Sequence, residues 1–360
     1  KMKDKSLYCL IMAGGVGSRF WPLSTETNPK QFQDFLGTGK SLLQMTFNRF
    51  VESVPVENIF ILTNEAYVTQ VVAQLGVPKA QIICEPEKKN TAPCIAFATA
   101  KILQKDQEAV MIVTPSDHLI TNESQFNKDL SLGVKYAVDT SSLITFGIEP
   151  HRPDTGYGYI EFNASKVNER TQKVLQFREK PDLKTAESFL KQGNFYWNSG
   201  MFIWKGEVVE KSFKKHAPSL HQIFFEDDAA YNKTDETQFM KRAFTSCDSV
   251  SIDYAIMEKE EQVIVVLSKF GWSDLGTWGS VKTLTEKDSN DNSLNHDNIH
   301  LFDSSSCFVI AEKEKEVLID GLNDFIIIDT KDKLMILKEE NEQRLKEYLS
   351  EIKNKKLKNG

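Results

Sequence analysis

No stretch of this 360-residue chain approaches the roughly 20 apolar residues that a membrane-spanning helix needs, so a bilayer protein of that kind is excluded at the outset. Basic residues are outnumbered. The 44 Lys and Arg against 51 Asp and Glu leave a net charge of −7, and phosphate-backbone binders carry a basic excess, so a nucleic-acid surface is also excluded. An anionic ligand must therefore be held by local cations and backbone amides. Cysteine is scarce and unpatterned: Cys9, Cys84, Cys94, Cys247 and Cys307 are odd in number, far apart and free of any C-x-x-C pair. That pattern fits reduced thiols in a cytosolic protein, and neither a disulfide frame nor a zinc site. The N-terminal KMKDKS, with Lys1 before Met2, leads into an apolar run with no signal-like segment, so the expected compartment is the cytoplasm.

What the chain does contain is a strand-length apolar run (Leu7, Tyr8, Leu10, Ile11, Met12) that stops at Ala13-Gly14-Gly15, with Gly17 two residues on. Glycine lets the backbone turn sharply and bring amides close to a ligand. Arg19 follows at once, and Lys30 follows Pro22 and Pro29, which makes a plausible polyphosphate cradle. Two familiar alternatives are missing a residue. A G-x-G-x-x-G fingerprint starting at Gly15 would end on Phe20, so no third glycine is there for helix packing. Gly39-Lys40-Ser41 imitates the end of a P-loop, yet Asp34 occupies the required first glycine position.

Beyond the loop, apolar spacing predicts helices over 41–51, 65–75 and 91–103, alternating with strands at 59–62, 82–83 and 110–113. Alternation of this kind predicts an α/β fold: a Rossmann-like, mostly parallel mixed sheet flanked by helices. In such sheets ligands gather where strands end. Residues 207–244 read as helical, with aromatics at core spacing. Residues 290–300 are polar and read as a linker, and the short apolar runs after it, at 307–311, 317–319, 325–329 and 334–337, predict a small β appendage before a lysine-rich tail helix. The expected division is 1–288 catalytic, 289–340 β-rich and 341–360 tail.

Each polar cluster at a strand end has a plain reading beside a chemical one. Asn90 or Thr91 in Glu85-Pro86-Glu87-Lys88-Lys89-Asn90-Thr91-Ala92-Pro93 can cap the helix that follows. Asp117, in Thr114-Pro115-Ser116-Asp117-His118, is a turn residue or a hard oxygen ligand for magnesium. Gly156-Tyr157-Gly158-Tyr159 is a bulged hairpin strand or a close backbone approach to a ligand. Glu179-Lys180 by itself reads as a solvated surface pair, and Asn198-Ser199-Gly200 as a plain turn before an apolar strand. The 251–258 segment, opening on Ser251, reads as largely structural.

Taken in order, AGGVGSRFWPLS with NPKQF, CEPEKKNTAP, TPSDH, GYGY, FREKP, WNSG, SIDYAIME and GWSDLGTW resemble the sugar-nucleotide pyrophosphorylases, in the form carried by their mannose-1-phosphate guanylyltransferase branch. Asn28 stands where that branch commonly has Tyr before Pro-Lys. The resemblance runs to about Lys338 and does not extend to the isomerase domain of longer relatives, so it implies a single activity. That activity is transfer of guanylyl from GTP to mannose 1-phosphate, giving GDP-mannose and pyrophosphate. It further implies nucleotide contacts from Ala13, Gly14, Gly15, Gly17, Ser18, Arg19, Glu85, Asn90, Thr91, Ser116 and Asp117. Sugar-phosphate contacts are implied for Gly158, Tyr159, Glu179, Lys180 and Asn198, and Mg2+ on Asp117 and Asp274. Arg19 and Lys30 would stabilise phosphate charge and, with the two aspartates, form the catalytic set. Neither nucleic acid nor membrane is an expected partner, and a second copy of the chain stays open. Two alternatives also stay open: the same chemistry with another hexose or heptose phosphate or another nucleotide, and a non-catalytic subunit that binds the sugar nucleotide.

Overall fold

The structure, a computed structural model, describes residues 4–163, 170–226 and 231–359. Residues 1–3 of the N-terminal stretch, 227–230 of the expected helical run and residue 360 of the expected tail lie outside the described residues. By internal contacts the chain forms two units: Lys1–Gly14 with Thr46–Ser116 and Ile120–Trp272, and Gly15–Met45 with Asp117–Leu119 and Ser273–Gly360.

The first unit is α/β. Its strands are β1 (Leu7–Met12), β2 (Ile59–Asn64), β3 (Ile82–Glu85), β4 (Val110–Pro115), β5 (Leu143–Ile148), β6 (Tyr159–Phe162), β7 (Thr171–Arg178), β8 (Phe195–Lys205) and β9 (Val263–Ser268). Among the described residues they form one nine-stranded sheet, ordered β3-β2-β1-β4-β8-β5-β9-β7-β6, with β6 also paired to β8. Strands β3, β2, β1 and β4 run parallel, as do β5 and β9, while β8 is antiparallel to β4 and β5. The central strands are apolar on both faces because helices cover both, the condition under which parallel strands survive. Helix Thr91–Leu103 is buried on nearly every side, which its Ala92, Ala96, Ala98 and Ala100 permit, and Phe97 packs between Phe224, Phe239 and Phe244. Among the described residues, the expected 207–244 helical run holds three helices, Gly206–His216, Pro218–Phe225 and Glu236–Ser246. Asn198-Ser199-Gly200 is not a turn: it lies inside β8, where Gly200 at φ 71 and a register shift opposite β5 accommodate it.

The second unit is built on Phe20, Phe35, Trp278, Phe308, Ile326 and Leu345, with the Phe20 and Trp278 rings 4.9 Å apart. Its strands β10 (Ser293–Leu294), β11 (Ile299–Phe302), β12 (Phe308–Ile310), β13 (Val317–Asp320), β14 (Phe325–Asp329) and β15 (Leu334–Lys338) form two small sheets, β10-β12-β14-β15 and β11-β13. Residues 290–300, expected as a linker, hold β10 and the start of β11. Rungs this short carry too few apolar residues to register in sequence, and the segment is instead fastened by Asn292, 1% exposed, whose amide donates to Asp288 and to the Ser304 carbonyl. Among the described residues no helix is long and apolar enough to cross a membrane.

Candidate functional site

The glycine loop in the second unit earns its composition. Gly17 sits at φ +68, and a Cβ there would overlap the Lys30 Cβ. Residues Ser18–Phe20 then make one tight helical turn whose Phe20 is buried against Phe35 and Trp278, which anchors the turn that carries Arg19. The return segment is stitched to the loop: the Lys30 amide donates to the Val16 carbonyl at 3.3 Å and Gln31 Nε2 to the Gly15 carbonyl at 3.0 Å.

Lys30 is a closely held charge of the unit, with its side chain 5% exposed. Its ammonium lies 3.0 Å from Asp117 Oδ2, donates to the Asp274 carbonyl at 2.7 Å, and sits 5.2 Å from the centre of the Phe20 ring. Burial pushes the Asp117 carboxyl up, but the charges of Lys30 and His118 and the hydrogen bond from Lys30 outweigh it, and the group is held below the usual carboxylate range. Its side chain still keeps 32% of its surface open. Asp274 accepts from the Gly276 amide at 2.9 Å. Together Gly17, Ser18, Arg19, Lys30, Asp117 and Asp274 line a polar cavity of about 220 Å³, joined by Phe20, His118, Gly276 and Lys346. The P-loop imitation is occupied from within: Asp34 accepts from the Thr38 and Gly39 amides, so those donors are not offered to a phosphate.

Among the described residues no group of three or more His, Cys, Asp or Glu is placed to hold a metal, and Asp117 and Asp274 put two hard carboxylate donors in one cavity, a set that fits a divalent cation such as magnesium. That ion keeps several waters and takes one or two protein carboxylates with substrate phosphate oxygens, whereas structural zinc takes four fixed ligands.

In the first unit, β1 delivers Ala13 and Gly14, and the Ala13 amide donates to the Leu62 carbonyl at 2.7 Å. A Cβ on Gly14 would lie 3.7 Å from Glu85 Oε1, so the end of β3 places this carboxylate beside the end of β1. Glu85 is 9% exposed. Burial pushes its carboxyl up to about 7, against the hydrogen bond from Cys94 and the charge of Lys88. Asn90, at φ 67, caps helix Thr91–Leu103 by accepting the Thr91 amide at 3.0 Å, and the Thr91 hydroxyl accepts the Ile252 amide at 2.8 Å. Ser116 is 2% exposed, its amide on the Met12 carbonyl and its own carbonyl bonded by the Thr46 hydroxyl, and it does not line the cavity.

A second polar cluster forms where β6, β7 and β8 meet. A Cβ on Gly158 would collide with Glu179 Oε1, which explains the glycine, and the Asn198 amide donates to the Gly158 carbonyl at 2.8 Å. The Tyr159 side chain is buried and its hydroxyl donates to the Asp154 carbonyl, while its backbone is paired opposite Arg178 and Trp197 in the sheet. Lys180, exposed and at φ 42, reaches Glu179 at 2.8 Å. Sequence reasoning missed Asp253, taken as structural. Asn198 Nδ2 donates to its Oδ1 at 2.9 Å, and burial, then the charge of Glu179, push its carboxyl up to about 6. The available signal was a carboxylate set inside an otherwise apolar segment. For Lys346, in a lysine-rich tail, there was no signal.

A sequence model described as nucleotidyl transferase matches residues 8–291. The chain is 34% identical, over 96% of its length and 74% of the relative's, to a protein of Vibrio cholerae named a putative mannose-1-phosphate guanylyltransferase. It is 35% identical to the mannose-1-phosphate guanylyltransferase of Salmonella montevideo, over 96% and 73% of the two chains. A solved structure titled mannose-1-phosphate geranyltransferase, from Thermus thermophilus, superposes with a TM-score of 0.86 at 26% identity, covering 97% of this chain and 99% of that one.

Proposed function

The chain belongs to the nucleotidyl transferase family, and from that premise we propose that it transfers the guanylyl group of GTP to α-D-mannose 1-phosphate, giving GDP-mannose and pyrophosphate. The observation that carries this reading is the single cavity lined by the Gly17 turn, Arg19, Lys30, Asp117 and Asp274. A sugar-phosphate oxygen attacks the α-phosphorus in line while pyrophosphate leaves, and a nucleophile already ionised at neutral pH needs no general base. The work left to the protein is positioning and charge neutralisation. Lys30, pinned by three contacts, offers a fixed positive charge to the phosphates with little reorganisation, and Arg19 offers a forked donor beside it.

Asp117 and Asp274 would hold magnesium, which supplies Lewis-acid neutralisation at phosphate oxygens. Gly14, Gly15, Ser18 and the Glu85–Thr91 segment serve the nucleotide, with Glu85 accepting from the donor edge of guanine. Glu179, Asn198, Lys180 and the Gly158-Tyr159 backbone serve the sugar phosphate. The division into catalytic residues 1–288, a β-rich 289–340 and a tail 341–360, and a cytoplasmic setting, belong to the same proposal. A pyrophosphate-release assay across GTP, ATP and UTP, each with mannose 1-phosphate and glucose 1-phosphate, tests it. GTP with mannose 1-phosphate should lead by a wide margin, with glucose 1-phosphate weak but detectable; equal use of UTP would overturn the guanylyl assignment.

A further inference from the structure

Lys346 belongs to no motif, yet it lines the same cavity as Arg19, Lys30, Asp117 and Asp274. Its position is built by its neighbours. Leu345 is buried in the cluster formed with Phe20 and Trp278, and Tyr348 and Leu349 pack on that cluster, so the i, i+3 and i+4 positions dock one face of helix Leu345–Asn359. The helix touches the Ser18–Phe20 turn that carries Arg19. The turn before it is pinned as well: Glu342 accepts the Gly279 amide at 2.9 Å, and Glu339 receives the buried Lys282 ammonium at 2.7 Å. Lys346, next to Leu345, is thereby held at the cavity rim.

Partial burial and the charge of Arg19 both lower the pKa of the Lys346 ammonium, in that order. Two like charges held together at a cavity rim cost free energy unless an anion joins them. Three cations, Arg19, Lys30 and Lys346, and two carboxylates then line one cavity, a balance suited to a polyanion with a divalent cation.

We propose that Lys346 is a third phosphate-binding cation, contacting the two phosphates of GTP that leave as pyrophosphate, so that the C-terminal helix forms part of the substrate site. This rests on reading the cavity as the polyphosphate site. GDP-mannose and mannose 1-phosphate do not carry those two phosphates, and this separates a specific contact from a structural one. The test is steady-state kinetics of the full chain in both directions, for wild type, Lys346→Ala, Lys346→Arg and the exposed neighbour Glu347→Ala. Lys346→Ala should raise KM for GTP and, in reverse, for pyrophosphate by about tenfold, the scale of one charged hydrogen bond at a partly open site. KM for mannose 1-phosphate and GDP-mannose should stay within about twofold. Lys346→Arg should recover most of the loss, and Glu347→Ala should match wild type. Unchanged KM for GTP and pyrophosphate in Lys346→Ala, or a common rise in all four constants, would overturn the inference while the cavity reading stands. A wild-type chain that releases no pyrophosphate from GTP and any sugar phosphate would overturn that reading and the inference with it.

Discussion

Glu85 offers the sharpest test of base recognition, because its ionisation is set by burial and its proposed task needs the ionised form. Guanine presents a ring N–H and an amino group, both donors, so the carboxylate that accepts from them must be deprotonated. With its carboxyl pushed up to about 7, roughly a tenth of the groups are ionised at pH 6 and roughly nine tenths at pH 8. Apparent affinity scales with the competent fraction, so KM for GTP should fall about tenfold across that interval. Glu85→Gln keeps the volume and removes the titration. Its KM should lose that tenfold fall and lie above wild type at pH 8, and any slope that remains belongs to the nucleotide. Stability runs the other way. The folded pKa exceeds the unfolded one, so the native state binds more protons; the stability from this group is full below the unfolded pKa near 4.5 and is lost as pH rises through about 7. The span amounts to on the order of 3 kcal/mol. The ligand-free Gln variant should therefore melt above wild type at pH 8 and close to it near pH 5, by scanning calorimetry. A wild-type KM that does not change between pH 6 and 8, or an equal slope in the Gln variant, would refute the reasoning.

Lys30→Ala should lower kcat by about a hundredfold or more with a smaller change in GTP affinity, since its contacts strengthen as charge develops on the leaving group; a loss confined to affinity would make it a ground-state anchor. Asp117→Asn and Asp274→Asn each remove a charged oxygen ligand at constant volume, so the magnesium concentration for half-maximal rate should rise steeply and turnover collapse in titrations of either variant; near-normal titrations in both would remove them from the metal site. Gly17→Ala forces a Cβ into the left-handed region at a cost of roughly 1–2 kcal/mol and against the Lys30 Cβ, so a lower Tm should accompany a loss of turnover; unchanged melting and rate would show that the loop relaxes freely.

Much of this protein was legible in its sequence because the signals are local. Apolar runs ending at Met12, Glu85 and Pro115 mark strand ends, and the residues just past or at those ends are among those proposed for the site. Gly17 is required by Lys30, which follows in the same loop segment, and Gly158 by Glu179 across one hairpin, and Asn90 caps the helix it precedes. Spacing along a chain says nothing of which ends meet. Only the tertiary structure joins Lys30 to Asp274, 244 residues apart, brings Asp253 under Asn198, and groups the loop 15–45 with the C-terminal 273–360. It also turns the polar stretch 290–300 into paired rungs and sets Lys346 at the cavity. The physical reason is that backbone conformation and amphipathic period are decided by neighbours within a turn or two, whereas the pairing of distant charges is decided by how buried apolar surfaces such as Phe20, Trp278 and Leu345 pack, and a lone lysine in a charged tail carries no mark of where that packing will leave it.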